Sequence, residues 1–121
     1  MLNRDALIRK LSGRATISVE CLLEDESIRG NASAIDPATD REIKAEIIRQ
    51  LDAGNPWAWC SIRVTASFDG FSGSDYLGCC SYASEADFRR SGGYYDDMRA
   101  QAVEQLADEI LRADSALARL R

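Results

Sequence analysis

The run from Trp57 to Phe68 constrains the fold more than any other part of this chain. Ala58, Cys60, Ile62, Val64, Ala66 and Phe68 alternate there with Ser61, Arg63, Thr65 and Ser67. A period of two places one set on each face of a β-strand. Asp69-Gly70 follows at once, and this pair accepts the left-handed backbone of a two-residue hairpin turn. The chain is thereby committed to an antiparallel pairing. The return strand is expected to include Tyr76 to Tyr82, and a plain two-residue register would set the charged Asp75 against Val64. The stretch from Gly70 to Ser74 is therefore expected to hold a bulge or a wider loop.

The remaining elements follow from changes of period. Leu2, Ala6, Leu7 and Leu11 recur at helical spacing, with Gly13 where a terminating glycine would stand, so residues 3–12 read as a first helix. Ile17, Val19, Cys21 and Leu23 then alternate with Thr16, Ser18 and Glu20, which predicts a strand over 16–23, followed by a polar loop over 24–34. Asp36-Pro37 is a helix start, since aspartate accepts orphan amide hydrogens and proline fits the first turn. The Ile43, Ile47, Leu51 stripe carries that helix over 37–52, with Asp40, Glu42, Glu46 and Asp52 expected to face water. Ser84-Glu85-Ala86-Asp87 resembles a capping box and opens a short helix that stops at Ser91-Gly92-Gly93. From Tyr95 onward Met98, Ala102, Leu106, Ile110, Ala113 and Leu117 define one long amphipathic helix. The order α-β-α-β-β-α-α predicts a single α+β domain over 1–121: a three-stranded, mainly antiparallel sheet packed against helices on one side, with a long C-terminal helix.

The chain has no histidine. Ser-His and Cys-His nucleophilic pairs, His-bearing zinc sites and imidazole acid/base chemistry are excluded with it. Cys21, Cys60, Cys79 and Cys80 lack the paired-knuckle spacing of an all-cysteine zinc site, so no metal and no cofactor is expected. They read as reduced core thiols, and whether Cys60 and Cys79 meet across the hairpin stays open. Without an apolar run of signal-peptide or membrane-spanning length, a cytoplasmic location in a bacterial host cell and no membrane contact are expected. In that compartment the Asn31-Ala32-Ser33 triplet carries no sugar. Gly70, Gly73 and Gly78 are followed by a strand pattern, which argues for hairpin geometry over a phosphate-binding loop.

With 20 acidic against 15 basic residues the net charge is −5, and its distribution is uneven. Residues 20–52 hold nine acidic against four basic groups and residues 85–114 eight against four, while Arg4, Arg9, Lys10 and Arg14 make residues 1–19 basic. Glu24-Asp25-Glu26 and Asp96-Asp97 could act as acid/base groups or magnesium ligands. A polar loop explains the first set, and the opening turn of a helix, where the dipole stabilises negative charge, explains the second. Trp57 and Trp59 lie on the strand face opposite the apolar one, and Tyr76, Tyr94 and Tyr95 sit beside glycine-bearing turns. Such rings either anchor interfaces or are covered by the long helix. The candidate partner-binding set is Glu24, Asp25, Glu26, Asp75, Tyr76, Tyr94, Tyr95, Asp96 and Asp97.

Four segments together look like a pattern in small accessory proteins of bacteriophages and other mobile elements. They are Asn55-x-Trp57-Ala58-Trp59-Cys60, Gly70-Phe71-x-Gly73-x-Asp75-Tyr76-Leu77-Gly78, Cys80-Ser81-Tyr82 and Gly92-Gly93-Tyr94-Tyr95-x-Asp97-Met98. The resemblance covers roughly residues 14–105 and implies no activity of its own. By analogy with small acidic proteins of mobile elements, it implies a non-catalytic inhibitor of a host defence complex, such as an anti-CRISPR protein acting on a CRISPR effector or nuclease, with an acidic patch imitating nucleic acid. That reading expects no direct nucleic-acid binding, and a monomer or homodimer. Its alternative is a small nucleic-acid-binding regulator using the basic first helix, which a sequence pI near 4.7 opposes. An enzyme built on Cys60 or Asp75 ranks third.

Overall fold

The computed structural model describes residues 3–28, 36–90 and 92–121. Its elements are α1 (Arg4–Arg14), β1 (Thr16–Leu22), α2 (Pro37–Asp52), β2 (Cys60–Phe68), β3 (Phe71–Cys80), α3 (Glu85–Arg90) and α4 (Tyr94–Leu120), with a 3-10 turn at Pro56–Ala58 before β2. The fold is α+β in the expected order, and its antiparallel sheet runs β1-β2-β3. Of the loop expected over 24–34, residues 29–34 fall outside the described residues, and the Asn31-Ala32-Ser33 triplet with them.

Helix starts follow local chemistry. Asn3 caps α1 by accepting the Ala6 amide at 3.1 Å, and Asp36 caps α2 by accepting the Thr39 amide at 2.7 Å. Ser84 accepts the Asp87 amide at 3.1 Å, as the cap of α3, while the Asp87 carboxylate reaches back to accept the amide of Ala83, the residue before the cap, at 2.9 Å. Two details depart from expectation. Gly13 lies inside α1, which ends at Arg14 with Ala15 as its cap. Asp40 is 7% exposed instead of facing water, because it precedes Ile43 by three residues and Ile47 by seven and so shares their stripe.

The hairpin corrects the expected bulge. Asp69 (φ 52°) and Gly70 (φ 86°) form a two-residue turn, and β3 begins directly at Phe71. Thr65 and Ser74, each four residues from that turn, share a hydroxyl hydrogen bond of 2.8 Å, so the register is the plain one. Asp75 is tolerated there because it is only half-buried.

The chain divides into two compact units, residues 1–19, 64–75 and 94–121 forming one and residues 20–63 and 76–93 the other. In the first, Leu11, Ala66, Ala102, Val103, Leu106 and Ala107 are buried, with Leu7, Ile8, Ile17, Phe71 and Ile110 packed around them. Helices α1 and α4 thus cover the sheet face that carries Ile17, Ala66 and Phe71. Gly73 lies on the same face, and a methyl there would collide with Ala102 O and Leu106 N and stand 2.7 Å from Gln105 Cβ. The absent side chain lets α4 rest on the strand backbone. Gln105 Oε1 accepts the Ser74 amide at 3.1 Å beside this contact, and Arg4 joins α1 to α4 through Asp108 at 2.9 Å and Glu104 at 3.7 Å.

In the second unit Ile47, Ala58 and Trp59 form the core with Ile28, Ile43, Leu51 and Cys79. Trp59 is buried by α2 and Ile28, and its indole N–H donates to Glu26 O at 3.0 Å. Trp57 is half-buried, its ring stacked 6.1 Å from that of Phe88, which Tyr82 meets edge-on at 5.2 Å. Asn55 accepts the Trp57 amide and donates to Tyr82 O, while the Tyr82 amide donates to Trp57 O. Both tryptophans are therefore spent on packing, but not as expected: Trp57 lies in the 3-10 turn and Trp59 caps it before β2, so neither is on the strand, and their packing partners come from α2, α3 and Ile28.

Candidate partner-contact surface

The polar face of the sheet in the second unit is organised around Arg63. Register places Glu20 of β1, Arg63 of β2 and Tyr76 of β3 in one row across the three strands. Arg63 donates to both Glu20 carboxylate oxygens, from Nε at 2.8 Å and Nη2 at 2.6 Å, the forked geometry that makes guanidinium–carboxylate pairs specific. Its Nη1 donates to the Tyr76 hydroxyl at 3.5 Å, and the guanidinium carbon lies 5.9 Å from the ring centroid. The pair lowers the Glu20 carboxyl pKa and raises that of Arg63, in both cases chiefly through their hydrogen bonds. Tyr76 is nonetheless 60% exposed. An aromatic held by a neighbour and open to solvent loses little rotamer freedom when a partner covers it.

Glu24 follows just beyond the end of β1. One of its carboxylate oxygens accepts the Cys79 amide and the Ser61 hydroxyl (3.1 Å), and the other accepts the Glu26 amide at 3.0 Å. Its pKa is lowered by the Cys79 amide first, then by Glu26, with Ser61 a smaller contributor. A side chain following β1 thereby ties the ends of β2 and β3 together. Gly78 leaves room for it, since a Cβ there would lie 3.2 Å from Glu24 Oε1. The fastening leaves Leu23 91% exposed, and Asp25 and Glu26 are exposed as well.

Of the nine residues expected to meet a partner, Glu24, Asp25, Glu26 and Tyr76 belong to this unit, and Asp75, Tyr94, Tyr95, Asp96 and Asp97 to the other. Tyr94 is 53% exposed, and Asp96 and Asp97 are exposed in the first turn of α4. Tyr95 is buried at 8% and cannot act as a surface anchor. Among the described residues, no ion pair engages the carboxylates of Asp25, Glu26, Asp96 or Asp97. Sequence reasoning missed Leu23, Glu20 and Arg63. The parity of Arg63 was legible, but its partnership with Glu20 depends on a β1–β2 register that no local pattern reveals.

The four cysteines are free thiols. Burial first, then Cys21, raises the pKa of Cys60, and burial followed by the charge of Glu24 pushes Cys80 up to about 11. Cys79 is raised for the same two reasons. Of the basic first helix, Arg4 is engaged by Asp108 and Glu104. Among the described residues no group of three or more Cys, Asp or Glu could hold a metal ion, and no helix is long and apolar enough to cross a membrane. Comparison with protein-family models, with curated proteins and with solved structures returned no match.

Proposed function

We propose that this chain is a non-catalytic binding protein that occupies a surface of a larger, cationic partner, in the manner of a mobile-element inhibitor of a host defence nuclease. The observation that carries the reading is Tyr76, exposed and clamped by Arg63, in the same unit as the exposed Leu23, Asp25 and Glu26. Aromatic and aliphatic anchors supply contact area, while exposed carboxylates steer the encounter and select basic patches. The buried Cys60 and Cys80 support the same reading, since burial holds these thiols protonated at neutral pH and a protonated thiol is a poor nucleophile.

The test is capture from a bacterial lysate on the immobilised protein, identified by mass spectrometry, followed by a nucleic-acid cleavage assay on the captured complex. The wild type is expected to retain a nucleic-acid-processing complex and lower its cleavage rate. A variant carrying Tyr76→Ala, Asp25→Lys and Glu26→Lys is expected to lose both effects while keeping its circular dichroism spectrum. Undiminished capture and inhibition by that folded variant would refute the proposal.

A further inference from the structure

Helix α4 carries its apolar stripe past the part of the first unit that covers it. Val103 and Leu106 are buried, and Ile110, Ala113, Leu117 and Leu120 continue the same alternation of four- and three-residue steps. That spacing is the seam of a left-handed coiled coil. Helix α1 runs antiparallel beside α4, since Ser12 O accepts from Arg99 while Arg4, the first residue of α1, meets Glu104 and Asp108. Beyond Asp108 the helix has passed the start of α1. Ile110 still packs against the core, but Leu117 is 55% and Leu120 85% exposed. At 1.5 Å per residue, the stretch over 109–120 is about 18 Å of helix. Asp114 and Arg121 flank its seam on one side, seven residues apart, and among the described residues no ion pair engages either of them or Arg119.

We propose that this face of α4 pairs with the same face of a second copy of the chain, antiparallel about a two-fold axis level with Ser115. In that register Ile110 meets Leu120 of the other copy and Ala113 meets its Leu117, each contact made twice by symmetry. A shift of seven residues one way needs Val103 and Leu106, which are already buried, and the other way leaves Leu117 and Leu120 alone in the seam. The apolar strip by itself would admit any amphipathic helix, and the charges select the occupant. Antiparallel pairing turns each Arg121 towards the other copy's Asp114, whereas parallel pairing sets Asp114 against a second carboxylate, Glu109. The contact uses none of the residues assigned to the host-partner surface, so it goes beyond that reading and stands or falls separately from it.

Three turns of helix a side make a small interface, at the weak end of specific contacts, so a dimer Kd on the order of 0.1 mM is expected. The test is sedimentation equilibrium of the full chain at low ionic strength, from about 10 μM to about 1 mM, a range that brackets this Kd. The wild type is expected to show a reversible monomer–dimer equilibrium. Leu117→Asp, which sets a charge in the middle of the seam, is expected to remain monomeric throughout; the side chain is exposed, so the circular dichroism spectrum should not change. Arg121→Asp removes two cross-pairs per dimer and should weaken association about fivefold. The swap Asp114→Arg with Arg121→Asp restores opposite charges and should recover the wild-type Kd. A monomer at about 1 mM, a dimer that survives Leu117→Asp, or a swap that binds no tighter than Arg121→Asp alone would overturn the proposal.

Discussion

Replacing Gly73 with alanine tests the packing of the first unit most directly. Its φ lies outside the left-handed range, so the backbone accepts alanine, and a strand interior would ordinarily gain about 0.5–1 kcal/mol from the change. Here the added methyl meets the backbone of α4 at Ala102 and Leu106 and comes to 2.7 Å from Gln105 Cβ, where ordinary contact begins at 3.4 Å. The helix must retreat by about 0.7 Å or more, and Ala102, Val103, Leu106 and Ala107, all buried, retreat with it. Overpacking of this kind costs about 1–3 kcal/mol, and a backbone obstacle belongs at the upper end. Setting the strand gain against it leaves a net loss of about 2 kcal/mol. With a urea m-value of about 2 kcal/mol/M the midpoint should fall by about 1 M. Gly13→Ala is the control: no atom lies within 4 Å of its Cβ and it sits inside α1, so its midpoint should rise. A Gly73→Ala midpoint equal to or above the wild type would refute the direct seating of α4 on β3.

Glu24 makes a pH-dependent contribution. Its folded pKa lies below the ordinary glutamate value of 4.5, so its stabilisation is fully present above that value and is lost as pH falls through the folded one. Glu24→Gln should cost about 1 kcal/mol at pH 7 after solvent screening, with the gap to wild type closing in acid; a gap independent of pH would contradict the assignment. Cys60 and Cys80 should resist a disulfide reagent at pH 8, since both are buried and a pKa of about 11 leaves roughly one Cys80 in a thousand ionised, and unfolding in urea should expose both. Prompt labelling of Cys60 or Cys80 in the native protein would disprove their burial. Gly70→Ala should lower stability by about 1 kcal/mol, measured by urea midpoint, because φ 86° disfavours any Cβ; no loss would mean that the turn relaxes.

The order of elements, the full span of α2 and the Asp69-Gly70 turn were legible in the sequence, because caps, turns and hydrophobic periods act over a few residues and their chemistry is local. So was the exclusion of imidazole chemistry. What required tertiary structure was everything set by contacts distant along the chain. Glycine at 73 looked like loop and is strand, because the reason for it is a helix some 30 residues away in sequence pressing on that backbone. Glu24 looked like part of an acidic patch and is a fastening, because its amide and hydroxyl donors at Cys79 and Ser61 come from other strands. Trp59 and Tyr95 could have faced either way until partners in the fold buried them, whereas Tyr76 is held outward by Arg63. A residue's type limits which interactions it can make, and only the assembled chain settles which of them are made within the fold and which remain for a partner.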